Sequence, residues 1–158
     1  MRLIYMGTPE IAVPAFERLL EAGHDVAGVF TQPDRPVGRK QLLAAPAVKR
    51  AAEARGIPVF QPAKVRTEET RQLFASLEPE AAIVFAYGRI LPPALLAVPP
   101  RGCINIHASL LPAYRGAAPI HRAVMAGETL TGVTIMRVVK ALDAGPMIAT
   151  ATRAIGAR

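Results

Sequence analysis

A single cysteine, Cys103, is all the chain offers for thiol chemistry, so no internal disulfide can form. Lying in an apolar run, it reads as a small buried hydrophobe rather than a catalytic thiol. No apolar run approaches the roughly 20 residues that a membrane helix needs. The opening run from Met1 to Met6 is too short for the core of a signal peptide, and Gly7-Thr8-Pro9 cuts it off. It reads as a first strand, and the protein is expected to be cytoplasmic. Gly7-Thr8-Pro9 is no Gly-x-Gly-x-x-Gly fingerprint, so dinucleotide binding is unsupported, and there is no P-loop. Three scattered histidines (His24, His107 and His121) with one cysteine make no metal-ligand spacing, so no metal is expected. Ser109 lies in no Gly-x-Ser-x-Gly elbow. Acids are scarce late in the chain: residues 81–158 hold only Glu128 and Asp143, against eight Lys/Arg.

What is present suits one soluble globular domain. The 158 residues are enough to bury a core without staples. The formal charge of +7 invites a polyanionic partner. It is unevenly spread, with nine Lys/Arg against four acids over residues 31–71 and an acidic bias in the first thirty residues. A plain basic surface would look the same.

Strand and helix signals alternate. Strands are predicted over Leu3–Met6, Val26–Phe30, Val59–Phe60, Ala81–Phe85, Cys103–Ile106 and Val133–Val138, with Pro146–Thr152 as a further candidate. Helices are predicted over Glu10–Ala22, from Pro46 to Arg55, over Glu68–Leu77 and over Pro119–Ala126, several closed by glycine. Gln32–Ala45, with its prolines, glycine and charges, reads as a loop. Gly88 and Pro92-Pro93 mark another loop around a possible helical turn. The order argues for an α/β fold with a Rossmann-like, doubly wound, mostly parallel sheet. No helix follows the last strand, so the chain is expected to be a truncated domain.

Ligands of open α/β sheets bind beyond the carboxyl ends of the strands. There, alternation places Asn105 and His107 on one face and Ile104 and Ile106 on the other. An amide and an imidazole ending a central strand cost free energy unless partnered; they could simply be a hydrogen-bonded pair that fixes the next loop. The segment from Ala108 to Pro119 is longer than an ordinary βα connection. Asp143, in Leu142-Asp143-Ala144-Gly145, occupies a second constrained loop. It could cap that loop as an Asx turn, or sit in apolar surroundings that raise its pKa and let it exchange protons. Glu128, at a helix-to-strand turn, reads as solvated. Together, Asn, His and Asp suit acyl transfer to an amine: two donors for an oxyanion and a carboxylate for the amine proton.

The run Asn105-Ile106-His107-Ala108-Ser109-Leu110-Leu111-Pro112, then Arg115-Gly116-Ala117-Ala118-Pro119-Ile120, resembles the folate-dependent formyltransferases, and Leu142-Asp143-Ala144-Gly145 matches their second signature. Gly7-Thr8-Pro9, Phe30 to Pro36, Val59-Phe60-Gln61-Pro62 and Ala86-Tyr87-Gly88 resemble the branch whose acceptor is initiator methionyl-tRNA. The resemblance covers essentially the whole chain. It implies a formyltransferase fold, 10-formyltetrahydrofolate as donor, and Asn105, His107 and Asp143 as catalytic residues. It implies folate contacts from Phe85, Ala86, Tyr87, Gly88 and Ile90 and from Ser109, Leu110, Leu111 and Pro112. It also implies tRNA contacts from Arg35, Arg39 and Lys40, and a C-terminal tRNA-binding barrel domain beyond the residues given. No membrane and no obligate protein partner are expected. Ala141 stands where the family usually has glycine. Two other readings stay open: formylation of a small amine, and a non-catalytic folate- or RNA-binding module.

Overall fold

A computed structural model describes residues 1–156; Ala157 and Arg158 lie outside the described residues. The first strand, β1 (Arg2–Gly7), is followed by a 3-10 turn (Glu10–Ala12) running into α1 (Val13–Glu21). Then come β2 (Asp25–Phe30), β3 (Arg35–Val37), β4 (Leu42–Ala44), α2 (Ala47–Ala54), β5 (Val59–Phe60), α3 (Glu68–Ser76) and β6 (Ala81–Phe85). The rest is α4 (Pro93–Leu96), β7 (Cys103–His107), α5 (Pro119–Met125), β8 (Leu130–Arg137) and β9 (Met147–Ala154).

Seven strands make one sheet in the order β5-β2-β1-β6-β7-β8-β9. The first five in that order pair in parallel, and β8 and β9 add antiparallel. The doubly wound, mostly parallel architecture read from the sequence is the one found. Two apolar layers cover the central strands, as parallel pairing demands. On one face Ile4, Met6, Phe30, Ala82, Val84 and Cys103 pack with Phe74 and Leu95. On the other, Tyr5, Val26 and Val29 pack with Phe16, Val48 and Ala52 from α1 and α2. Tyr5 keeps its buried hydroxyl satisfied by donating to Ala12 O at 2.5 Å. Cys103 is buried, and burial pushes its thiol up to about 12, which agrees with a structural cysteine.

One sequence expectation needs correction. Gln32–Ala45 is not an unstructured loop: β3 and β4 pair as an antiparallel hairpin, with Arg35 opposite Ala44 and Val37 opposite Leu42. The prolines and charges that argued against a strand sit where they do no harm, because both strands are short and lie outside the main sheet. At the other edge every residue of β9 is exposed.

The chain leaves β1 to build β2 and β5 on one side, then returns to build β6 and β7 on the other. The switch point therefore falls between β1 and β6. Gly7 ends β1 there, and a Cβ on it would come within 2.9 Å of Phe85 O, so close strand packing requires glycine. Among the described residues no helix is long and apolar enough to cross a membrane.

Candidate active site

His107 is the last residue of β7 and is buried. Its Nε2 lies 2.9 Å from Tyr114 O. A carbonyl oxygen can only accept, so Nε2 carries the hydrogen and donates. Nδ1 is then the one ring nitrogen free to take part in chemistry, and it faces Asp143 Oδ2 at 3.7 Å. Tyr114 can aim its carbonyl back at the ring because it adopts the left-handed region, at φ 56. The histidine thus bonds the loop that follows it, and not Asn105.

Asp143 is not a local Asx cap. Its Oδ2 accepts the Gly116 N–H at 2.7 Å, from the other loop. No donor reaches Oδ1 among the described residues. The carboxylate side chain is 9 % exposed, yet the apolar residues beside it in sequence turn outward: Leu142 is 60 % exposed. The Gly116 N–H and the His107 ring face the carboxylate, and Asp143 itself sits at φ 47. Ala141 does not share that conformation, so its methyl group is accommodated where the family has glycine. Asn105 is half-buried, two residues before His107 in β7, and its side chain has no protein partner among the described residues.

The 108–118 loop is held by buried hydroxyls. Thr134, in β8 opposite His107, is fully buried. It donates to Ser109 O at 2.7 Å and accepts from Leu111 N at 3.1 Å. Ser109 is also fully buried and donates to Ala113 O at 2.7 Å. Its hydroxyl is committed to loop shape, which leaves Leu110, Leu111 and Pro112 as the accessible part of that segment. The Leu111–Pro112 peptide bond is cis. Glu128 is exposed but not merely solvated, because the Tyr114 hydroxyl donates to it at 2.7 Å.

One strand over, at the switch point, opens a cleft of about 370 Å³. Thr8 and Pro9 line it after β1, Gln32 after β2, and Ala86 and Gly88 after β6; the hairpin supplies Arg35, Val37 and Ala44. Asn105, His107 and Asp143 do not line it. The three loops are stitched together: the Thr8 hydroxyl donates to Tyr87 O at 2.9 Å and accepts from Gln32 N at 3.3 Å. Arg89 Nε donates to Gln32 Oε1 at 3.0 Å. Of the expected folate-side residues, Ala86, Gly88 and Ile90 are exposed, Phe85 is half-buried, and Tyr87 is buried in the core. Burial pushes the Tyr87 hydroxyl up to about 12. Arg39 and Lys40 lie at the exposed hairpin tip, away from the cleft lining.

The sequence reading pointed to Asn105, His107 and Asp143; His107 Nδ1 lies 3.7 Å from Asp143 Oδ2, and Asn105 stands two residues earlier in β7. It missed Thr8, Gln32 and Thr134. A weak signal existed for two of them: Thr31-Gln32 and Thr134 are polar residues inside or ending apolar strands, where an unpartnered polar group is costly.

A family model described as formyl transferase matches residues 1–157. The methionyl-tRNA formyltransferase of Methylococcus capsulatus is 52 % identical over 156 residues, covering 99 % of this chain and 51 % of that protein. That of Pelotomaculum thermopropionicum is 55 % identical over 148 residues, covering 94 % of this chain and 47 % of that protein. The chain therefore spans about half the length of the curated relatives it matches. Among solved structures, phosphoribosylglycinamide formyltransferase from Bacillus halodurans aligns with a TM-score of 0.79 and 26 % identity, over 99 % of this chain and 81 % of that one. A formyltetrahydrofolate deformylase from Pseudomonas syringae aligns with a TM-score of 0.75 and 26 % identity, over 98 % of this chain and 51 % of that one. With that fold, and with a family match running through both site loops, the chain belongs to the formyl transferase family.

Proposed function

We propose that this chain is the catalytic part of an enzyme that moves a formyl group from 10-formyltetrahydrofolate to the amino group of initiator methionyl-tRNA. The observation that carries the reading is the approach of His107 Nδ1 to Asp143 Oδ2, 3.7 Å apart at the end of β7; Asn105, two residues earlier in the strand, has no side-chain partner among the described residues. The relatives above half identity, all named for this acceptor, support it over a small-amine acceptor. The exposed Ala86, Gly88 and Ile90 and the half-buried Leu110 and Leu111 offer apolar surface and loop amides on two neighbouring strand ends, which suits a flat heterocycle carrying polar edges.

The acceptor amine attacks the formyl carbon and a tetrahedral oxyanion forms. The Asn105 amide donates to that oxygen. His107 donates as well, through Nδ1, the nitrogen not engaged by Tyr114 O; it does so only when the ring holds both protons. Asp143 faces that nitrogen and so balances the imidazolium. Its Oδ1 receives the proton that the amine loses. The carbon–nitrogen bond to the donor then breaks, and the proton goes to the leaving nitrogen. Positioning and electrostatics supply the rate, with no covalent intermediate. Arg35, Arg39 and Lys40 bear on the tRNA backbone from the hairpin.

The test is formyl transfer by the full-length protein, with initiator methionyl-tRNA and glycinamide ribonucleotide competing as acceptors. Preferential labelling of the tRNA is the expected result. Labelling of the small amine alone would overturn the acceptor, and folate binding without transfer to either would overturn catalysis.

A further inference from the structure

The hairpin that walls the cleft has little to hold it. β3 and β4 pair only with each other, apart from the main sheet, and Val37, Leu42 and Leu43 are exposed. Its orientation must therefore be set where it leaves and rejoins the body. Asp34 is the residue immediately before β3, and Lys49 lies in the first turn of α2, just after β4. Lys49 Nζ donates to both Asp34 oxygens and to Gln61 Oε1, each at 3.1 Å. Gln61, following β5, donates through Nε2 to Asp34 Oδ1 at 2.7 Å and to Gln32 O at 3.0 Å. All three protons of the ammonium and both ends of the amide are used.

The closed set differs from a surface ion pair in two respects. The Lys49 side chain is only 18 % exposed, so salt screens it less. It also joins both roots of the hairpin to Gln32, whose side chain lies against Gly88 in the cleft wall. The hydrogen bond from Gln61, and then that from Lys49, hold the Asp34 carboxyl below the usual carboxylate range, so that carboxyl stays ionised at neutral pH. Weaker ties lie at the second root: Arg50 Nη1 donates to Ala45 O at 2.9 Å from an exposed position, and Val48 N donates to Thr8 O at 3.3 Å.

We propose that Asp34, Lys49 and Gln61 are positioning residues: together they brace the β3–β4 hairpin against the sheet and set the cleft's outer wall, so that Arg35 and the hairpin tip meet the acceptor in one orientation. The inference rests on the acceptor assigned above, because it places the hairpin on the acceptor's side. None of the three residues touches reacting atoms.

Asp34→Asn and Lys49→Met in the full-length protein test it by two readouts. Amide hydrogen exchange should speed up over residues 35–44 and stay unchanged in β1, β6 and β7. The KM for the tRNA acceptor should rise about three- to tenfold, the loss expected for one partly buried ion pair, while kcat and the KM for the folate donor hold. Lys49→Arg keeps the charge and should retain most of the hairpin's protection. Unchanged exchange over 35–44 in both variants would overturn the brace. So would kcat and both KM values changing together with a drop in melting temperature, since that marks a general structural role. If wild-type protein transfers no formyl group to tRNA, the assigned acceptor fails, and hydrogen exchange still decides the brace.

Discussion

Replacing Thr134 by Val tests how far the 108–118 loop depends on one hydroxyl. Valine has nearly the same shape, so packing in β8 is kept and only hydrogen bonding is lost. Thr134 is fully buried. Its hydroxyl donates to the buried Ser109 carbonyl at 2.7 Å and accepts from the partly buried Leu111 N–H at 3.1 Å. A buried carbonyl stripped of its donor costs about 1–3 kcal/mol, and an amide that can turn toward water about 0.5–1.5 kcal/mol. The variant should therefore lose about 1.5–4.5 kcal/mol. For a chain of this length each kcal/mol lowers Tm by about 2–4 °C, so a fall of roughly 3–18 °C is expected by calorimetry. Thr134→Ser keeps the hydroxyl and removes one methyl group, at about 0.8 kcal/mol. Valine should thus be the worse substitution, although it is the closer in shape. Activity should follow, because Ser109 and Leu111 lie in the loop whose Tyr114 carbonyl fixes the His107 tautomer. If valine melts within about 0.5 kcal/mol of wild type, or serine is the worse of the two, the loop is held by something other than this hydroxyl.

Four further outcomes are expected. Asn105→Ala in the full-length protein should lower kcat about 10²–10³-fold, the cost of one oxyanion donor, with folate binding by titration unchanged; retained turnover would remove the amide from the mechanism. Asp143→Asn keeps an acceptor oxygen for Gly116 N–H but cannot take a proton, so turnover should collapse while the melting curve barely moves, and near-normal turnover would sink the proton-transfer role. Arg39→Ala with Lys40→Ala should raise the KM for tRNA and flatten its salt dependence, because two phosphate-seeking cations are lost; the folate constant should hold, and an unchanged tRNA constant at physiological salt would count against the hairpin contact. Cys103, whose thiol burial pushes up to about 12, stays protonated across the neutral and mildly alkaline range. It should resist a thiol reagent at pH 8 in native protein and react on unfolding, and fast native labelling would show the strand to be open.

The long elements could be read from the sequence because their patterns are local. The apolar runs at 3–6, 81–85 and 103–106 were strands as expected, and Gly23, Gly56 and Gly127 each follow a helix. Asn105, His107 and Asp143 stood out for a similar reason: they are polar groups in apolar or constrained segments, in an order matching a known family. The hairpin was not legible, since Arg35–Val37 and Leu42–Ala44 are strands only by virtue of pairing with each other, and three-residue segments carry no period. Nor could the sequence say which group partners Asp143. Gly116 lies 27 positions away and donates through its backbone, an interaction that leaves no trace in residue type. The tautomer of His107 depends on the Tyr114 carbonyl, and every residue has a carbonyl. The brace of Asp34, Lys49 and Gln61 joins the start of a hairpin, a helix and the end of a strand. What the sequence determined on its own was what burial demands of side chains along a single segment; where the backbone of one loop meets the side chain of another was decided only when the sheet brought their ends together.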